Sequence, residues 1–204
     1  MRPSLALPPV ALIVNIHSRH IPMTSLNYLE SVRRLFQYYQ SLGAKSMAQL
    51  TDEQIRYQPE PESNNIATIV KHMHGNMLSR WTDFLTADGE KPWRNRDQEF
   101  EDTFDTKEKV IKAWEEGWSC LFNAINPLVE ADLERIVYIR NEGHTVLEAI
   151  NRQLGHYSYH VGQIVFLAKQ IKGAGWQSLS IPKGGSKAFN ADKFGKDKER
   201  RHFV

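Results

Sequence analysis

An all-α fold, an antiparallel four-helix bundle, is what the 204-residue sequence predicts, on three observations. Four long segments carry apolar residues at spacings of three and four, the repeat of an amphipathic helix. No segment alternates apolar and polar residues in the manner of a core strand. The chain is long enough to bury one ordinary core without staples.

The first helix spans about Ser25 to Leu42, with Leu29, Val32, Leu35, Phe36 and Tyr39 inward and Gly43 as its C-terminal cap. A short helical turn at Thr51-Asp52-Glu53-Gln54 follows. The second helix opens after Pro59-Glu60-Pro61-Glu62-Ser63-Asn64, where the prolines and the capping residues Ser63 and Asn64 mark a start. Its stripe is Ile66, Ile69, Val70, Met73, Met77, Trp81 and Phe84, and Asp88-Gly89 ends it. A long loop containing the polar run Glu90 to Asp97 leads to the third helix, from near Thr106 to about Ala124. Val110, Trp114, Leu121 and Phe122 face its core, and Pro127 closes it. Ile136 to Ile139 reads as extended, with Glu142-Gly143 as the turn of a small hairpin. The fourth helix, Thr145 to Lys172, begins with Thr145 and Glu148 in the form of a capping box. It is apolar on two sides: Ala149, Ile164 and Leu167 lie near one face, and Leu147, Leu154, Val161 and Val165 near the other, which suits a dimer partner. Ser180 to Ser186 is loop chemistry. Residues 1–22 read as an extension outside the fold, 23–190 as the helical domain and 191–204 as a polar tail.

Composition narrows the function classes. Lysine and arginine number 26 against 24 aspartates and glutamates. That small excess, without a basic stripe interleaved with aromatics, argues against a nucleic-acid partner. No apolar run reaches the roughly 20 residues that span a bilayer, so no membrane partner is expected. The single cysteine, Cys120, excludes an internal disulfide and fits the cytoplasm. Between Trp118 and Leu121 it reads as a buried, inert thiol. The apolar stretch from Leu5 to Val14 is broken by Pro8 and Pro9 and followed by His17-Ser18-Arg19-His20, unlike a signal peptide. Met23-Thr24-Ser25-Leu26 leads directly into the first helix and is a candidate start.

The chemistry concentrates in Gly155-His156-Tyr157-Ser158-Tyr159-His160-Val161-Gly162-Gln163. His156 and His160, four apart, share one helix face and can hold one metal ion between them. No glutamate follows His156, so this is not the zinc-protease motif. A third ligand has to come from a facing helix, where His72 and His74 are about 200° apart around the axis. His74 falls nearer the aliphatic stripe; His72 heads a polar row with Asn76, Ser79 and Asp83, bordered by Arg80. Periodicity alone does not choose between them. Asn76, Asp83 and Gln163 are candidates to orient a ligand. Arg80, Arg94 and Arg96 are available to an anionic substrate group, or equally to a solvated loop or a dimer contact.

The runs Ile69-Val70-Lys71-His72-Met73-His74-Gly75-Asn76-Met77, Ser79 to Leu85, Asp88 to Asp97 and Asn151 to Ile164 resemble the DinB/YfiT-like metalloenzyme superfamily, in a branch without characterised function. The resemblance covers roughly Leu26 to Asn190. It implies a four-helix bundle, often dimeric, that holds one divalent metal through one histidine of the second helix and the His-x-x-x-His pair of the last. On that motif the second-helix ligand maps to His72, which gives the set His72, His156 and His160. Three neutral imidazoles leave positions open for water or substrate, the layout of a catalytic site. Zinc or nickel, then iron or manganese, suit the ligands. The activities implied are transfer of a low-molecular-weight thiol, or hydrolysis, on a small-molecule substrate. The alternatives are a stress protein that binds metal or a small ligand without turnover, and a structural dimer with packing histidines. No acidic residue stands out as a general base.

Overall fold

The computed structural model describes residues 24–101 and 104–199. The expected N-terminal extension lies outside them. In chain order the elements are α1 (Thr24–Ala48), short α2 (Asp52–Arg56), α3 (Ile66–Trp81), α4 (Lys107–Ile125), β1 (Ile136–Ile139), β2 (Glu142–Thr145), α5 (Val146–Lys172) and α6 (Ser186–Phe194). The described chain is thus mostly helical, with one small antiparallel sheet that pairs Ile136 with Thr145 and Ile139 with Glu142. No described helix is long and apolar enough to cross a membrane.

The helix starts follow local chemistry. Asn65 caps α3 by accepting from the Thr68 N–H at 2.8 Å, one residue beyond the expected caps. Thr106 caps α4. Thr145 and Glu148 form the expected capping box, with Oγ1 accepting from Glu148 N at 3.1 Å and the carboxylate from Thr145 N at 2.8 Å. At the far end of α4, the Arg33 guanidinium donates to the carbonyls of Ile125, Asn126 and Leu128. A cation there satisfies oxygens that the helix cannot pair itself.

The core sits among the four long helices. α3 packs chiefly on α4, and α5 chiefly on α1. Each sends one aromatic ring to the centre: Phe36, Trp81, Trp118 and Tyr157, all buried. Phe36 lies 6.4 Å from Trp81, 6.2 Å from Trp118 and 6.1 Å from Tyr157, centre to centre. Such edge-on and tilted pairs add about 0.5–1.5 kcal/mol each beyond the area they bury.

Several sequence expectations are corrected. α1 does not stop at Leu42 but runs through Gly43, which is buried against the indole of Trp114. This glycine serves close helix packing rather than capping. α3 ends at Trp81, short of Asp88, because Asp83 takes a left-handed conformation (φ 50) and turns the chain back. The hairpin turn is Arg140-Asn141, both left-handed at φ 55 and 63, while Glu142 and Gly143 lie in β2. Two consecutive left-handed residues are what a two-residue type I′ turn needs, and the Asp88 carboxylate holds both by accepting from their backbone N–H groups at 2.9 and 2.8 Å. The second apolar face expected on α5 is covered by the chain itself: Val161 is buried, and Leu147, Leu154 and Val165 pack against the core. Ser186–Phe194, where only loop and tail are expected, forms an exposed helix, α6.

By helix propensity alone, Gly43→Ala is expected to gain about 0.8–1.0 kcal/mol. Because the new methyl runs into the Trp114 ring, the substitution is instead expected to destabilise the protein by about 1–3 kcal/mol. Urea denaturation reads the difference, and a raised midpoint would refute the packing role.

Candidate metal centre

Two helices bring three histidines together. His72 comes from the middle of α3 and is 5 % exposed; His156 and His160 follow one another by a turn on α5 and are half-buried. One nitrogen from each lies within 4.8 Å of the others. The Nε2 atoms of His156 and His160 are 3.0 Å apart, and those of His72 and His156 are 3.3 Å apart. Three nitrogens placed tetrahedrally around one zinc-sized ion at about 2.0–2.1 Å stand about 3.3 Å from one another. The spacing therefore fits a shared metal ion.

The proton arrangement fits it too. The Nδ1 of His72 is 2.9 Å from an oxygen of Glu99, and the Nδ1 of His160 is 2.8 Å from Oε1 of Gln163. Burial pushes the Glu99 carboxyl up, but hydrogen bonds from His72 and Arg94 outweigh it and hold the group below its ordinary value. An ionised carboxylate only accepts, so His72 carries a proton on Nδ1 and turns Nε2 toward the cluster. His160 is set the same way by Gln163. Burial, then the neighbouring His160 and His72, push His156 down to about 3, and burial also lowers His160. Three imidazoles thus converge, and one proton on His156 Nε2 can serve only one of its two neighbours. A cation shared by the three nitrogens would resolve this.

The support behind the ligands is charged and buried. Arg94 meets Glu99 as a two-pronged pair, Nε to Oε1 at 2.7 Å and Nη2 to Oε2 at 3.0 Å, with side chains 2 % and 7 % exposed. Phe100 stacks on the His72 ring at 4.9 Å. Tyr157, next to His156 in the chain, accepts from Trp81 Nε1 at 3.0 Å and donates to Oδ1 of Asn76 at 2.9 Å. A cavity of about 270 Å³ opens on His72 and His156 and is otherwise lined by Asn76, Gln153 and five arginines.

The residues singled out in the sequence separate clearly. His72, Asn76 and Arg80 face this cavity, and Gln163 holds His160. Asp83 is exposed beyond the end of α3 and is not brought to the cavity. His74 points away, to within 3.4 Å of a Glu116 oxygen on α4. Cys120 is half-buried beside Thr82, and burial pushes its thiol up, as an inert residue requires. Glu99 is missed by the sequence reading. Its signal is Gly75, one turn beyond His72, where a Cβ would collide with the Glu99 carboxylate.

Glu99→Gln keeps the shape of the side chain but replaces the anion behind His72. A 10–100-fold loss of metal affinity is expected, the usual range for such outer partners. Competition with a chromogenic chelator measures it, and unchanged affinity would remove Glu99 from the centre.

Comparison with known proteins adds one relationship. No curated protein matches the chain significantly. Residues 23–185 match the family model described as protein of unknown function (DUF1572). That match spans most of the chain, which therefore belongs to the DUF1572 family.

Proposed function

We propose that this protein is a divalent-metal-dependent enzyme with a four-helix bundle of the DinB/YfiT-like type, its ion held by His72, His156 and His160. The observation that carries the reading is the convergence of three imidazole nitrogens beside an open cavity. Zinc or nickel suits three such ligands best, with iron and manganese next. An ion held by His72, His156 and His160 would supply acidification of a thiol or water bound there.

The protein's own residues then have limited tasks. Glu99 and Gln163 fix the tautomers of His72 and His160. Asn76 lines the cavity with its oxygen already committed to Tyr157, which leaves its amide N–H groups for a substrate. Tyr157 is no acid or base: it is fully buried, and burial pushes its hydroxyl up. No carboxylate lines the cavity among the described residues, and both oxygens of Glu99 are engaged by Arg94 and His72. The chemistry therefore favours a nucleophile acidified at the ion over one deprotonated by a side chain. Thiol transfer fits this best, hydrolysis next. The same lack of a base supports a second reading, a protein that binds metal or a small ligand without turnover.

A homodimer completes the proposal. The exposed face of α5 presents Tyr159 and Phe166, 63 % and 69 % exposed, beside Gly155 and Gly162. An added Cβ at either glycine meets nothing within 4 Å, so the chain's own packing gives no reason for them.

Elemental analysis of protein purified without a nickel column is expected to find one divalent ion per chain, lost in His160→Ala. No metal in the wild type after loading would sink the enzyme reading. Light scattering on the same sample is expected to give twice the 23.6 kDa chain mass, and half of it for Phe166→Asp; a monomeric wild type overturns the dimer.

A further inference from the structure

We infer that the cavity beside His72 and His156 is an oxyanion site, which takes the carboxylate, phosphate or sulfonate of a small anionic substrate through Arg96, Arg140 and Arg152. As a substrate site it rests on the metal-centre reading; as a binding site it stands alone.

The charge balance is the first argument. Arg80, Arg94, Arg96, Arg140 and Arg152 all line the cavity. Two carboxylates answer them. One oxygen of Glu90 lies 3.0 Å from Arg80, 3.3 Å from Arg94 and 3.1 Å from Arg140, and Glu99 is paired with Arg94. Among the described residues, five guanidinium groups against two carboxylates leave three positive charges uncompensated in a concave site. Arg80 is 6 % exposed, and its hydrogen bonds, to Gly89 O and Glu90, both use Nη1. Its Nε is buried without a partner.

Placement is the second argument. Arg152 lies one turn before His156 on α5, on the face that carries the histidines. Arg96 and Arg152 form no ion pair among the described residues; the Arg96 guanidinium lies over the Phe100 ring, 5.8 Å from its centre. Arg140 sits in the left-handed turn that Asp88 clamps, so its backbone is held in an uncommon conformation at the cavity rim. Planar guanidinium forks match oxyanions two oxygens at a time.

Size and shape select a small molecule. About 270 Å³ is at the lower end of ligand pockets. The arginines converge inward rather than forming a stripe that could track a nucleic-acid backbone. An oxyanion held by them leaves the remainder of the molecule against His72 and His156.

The test is calorimetric titration of the chelator-treated, full-length protein with inorganic phosphate and with succinate, at constant ionic strength in chloride. Saturable binding of either is expected, weakened at least tenfold in the Arg96→Gln/Arg152→Gln double variant and in Arg140→Gln, and unchanged in the remote Lys112→Gln. Preference for phosphate assigns a phosphoryl group, preference for succinate a carboxylate; both support the site. Arg96 and Arg152 are exposed, so the double variant is expected to keep its fold, checked by circular dichroism. No saturable binding, or equal binding in the double variant, overturns the inference. Binding that persists in a protein unable to take up metal leaves the inference standing and removes the metal-centre reading. Metal uptake without anion binding does the reverse.

Discussion

The geometry of the three-histidine cluster depends on one buried relay, Trp81 to Tyr157 to Asn76. α3 packs chiefly on α4 and α5 chiefly on α1, so the two helices that carry the histidines are not each other's main support. Tyr157 joins them. Its ring sits in the aromatic centre against Phe36 and Trp118, which fixes the rotation of α5 about its own axis. Its hydroxyl accepts from Trp81 and donates to Asn76, both on α3, which fixes the distance across to that helix. Leaving either partner unpaired in so buried a place costs about 1–3 kcal/mol. His156 and His160 inherit their direction from this contact, and His72 lies one turn before Asn76.

The loop between α3 and α4 supplies the second constraint. It is polar, yet it is pinned along its length. Ser79 donates to Gly89 O at 2.8 Å and accepts from Lys91 N at 3.1 Å, and Gly89 N donates to Tyr138 O at 2.8 Å. The loop thereby carries Glu90, Arg94 and Glu99 onto α3. A buried ion pair gains little by itself, because desolvating both charges offsets most of the attraction. Arg94 and Glu99 are buried nonetheless, with Glu99 Oε2 also accepting from His72. The pair is best understood as holding an imidazole tautomer in place, not as a source of stability.

Much of this was legible in the sequence, for physical reasons that also mark where legibility stopped. Helix starts were readable because caps are local: Thr145 and Glu148 satisfy each other within four residues. The ends of α1 and α3 were not. Gly43 has the composition of a cap, but its role is set by Trp114 on a helix far along the chain. The His72–His74 choice was beyond periodicity because α3 is buried on nearly every side, against α4 as well as toward α5. The family resemblance pointed to His72, and the geometry brings that residue, not His74, to the pair on α5. Glu99 was invisible because a loop carboxylate has no periodicity. Only a glycine in mid-helix, Gly75, recorded that something approaches there.

The charges around the site have a common logic. Carboxylate ligands would each cancel one charge of a bound ion; three imidazoles cancel none. Glu99 stands one bond-length of influence further out and divides its charge between His72 and Arg94. Glu90 is divided among three arginines. On the reading proposed here, the ion and the guanidinium groups therefore build positive potential in the same concave, low-dielectric space, where field lines are focused rather than dissipated in water. That arrangement is unfavourable for an empty cavity and favourable for one that receives an anion. The features that keep the ion electrophilic and those that select an acidic ligand are then the same features, and the arginines at the rim are the ones with the least to lose by changing partners.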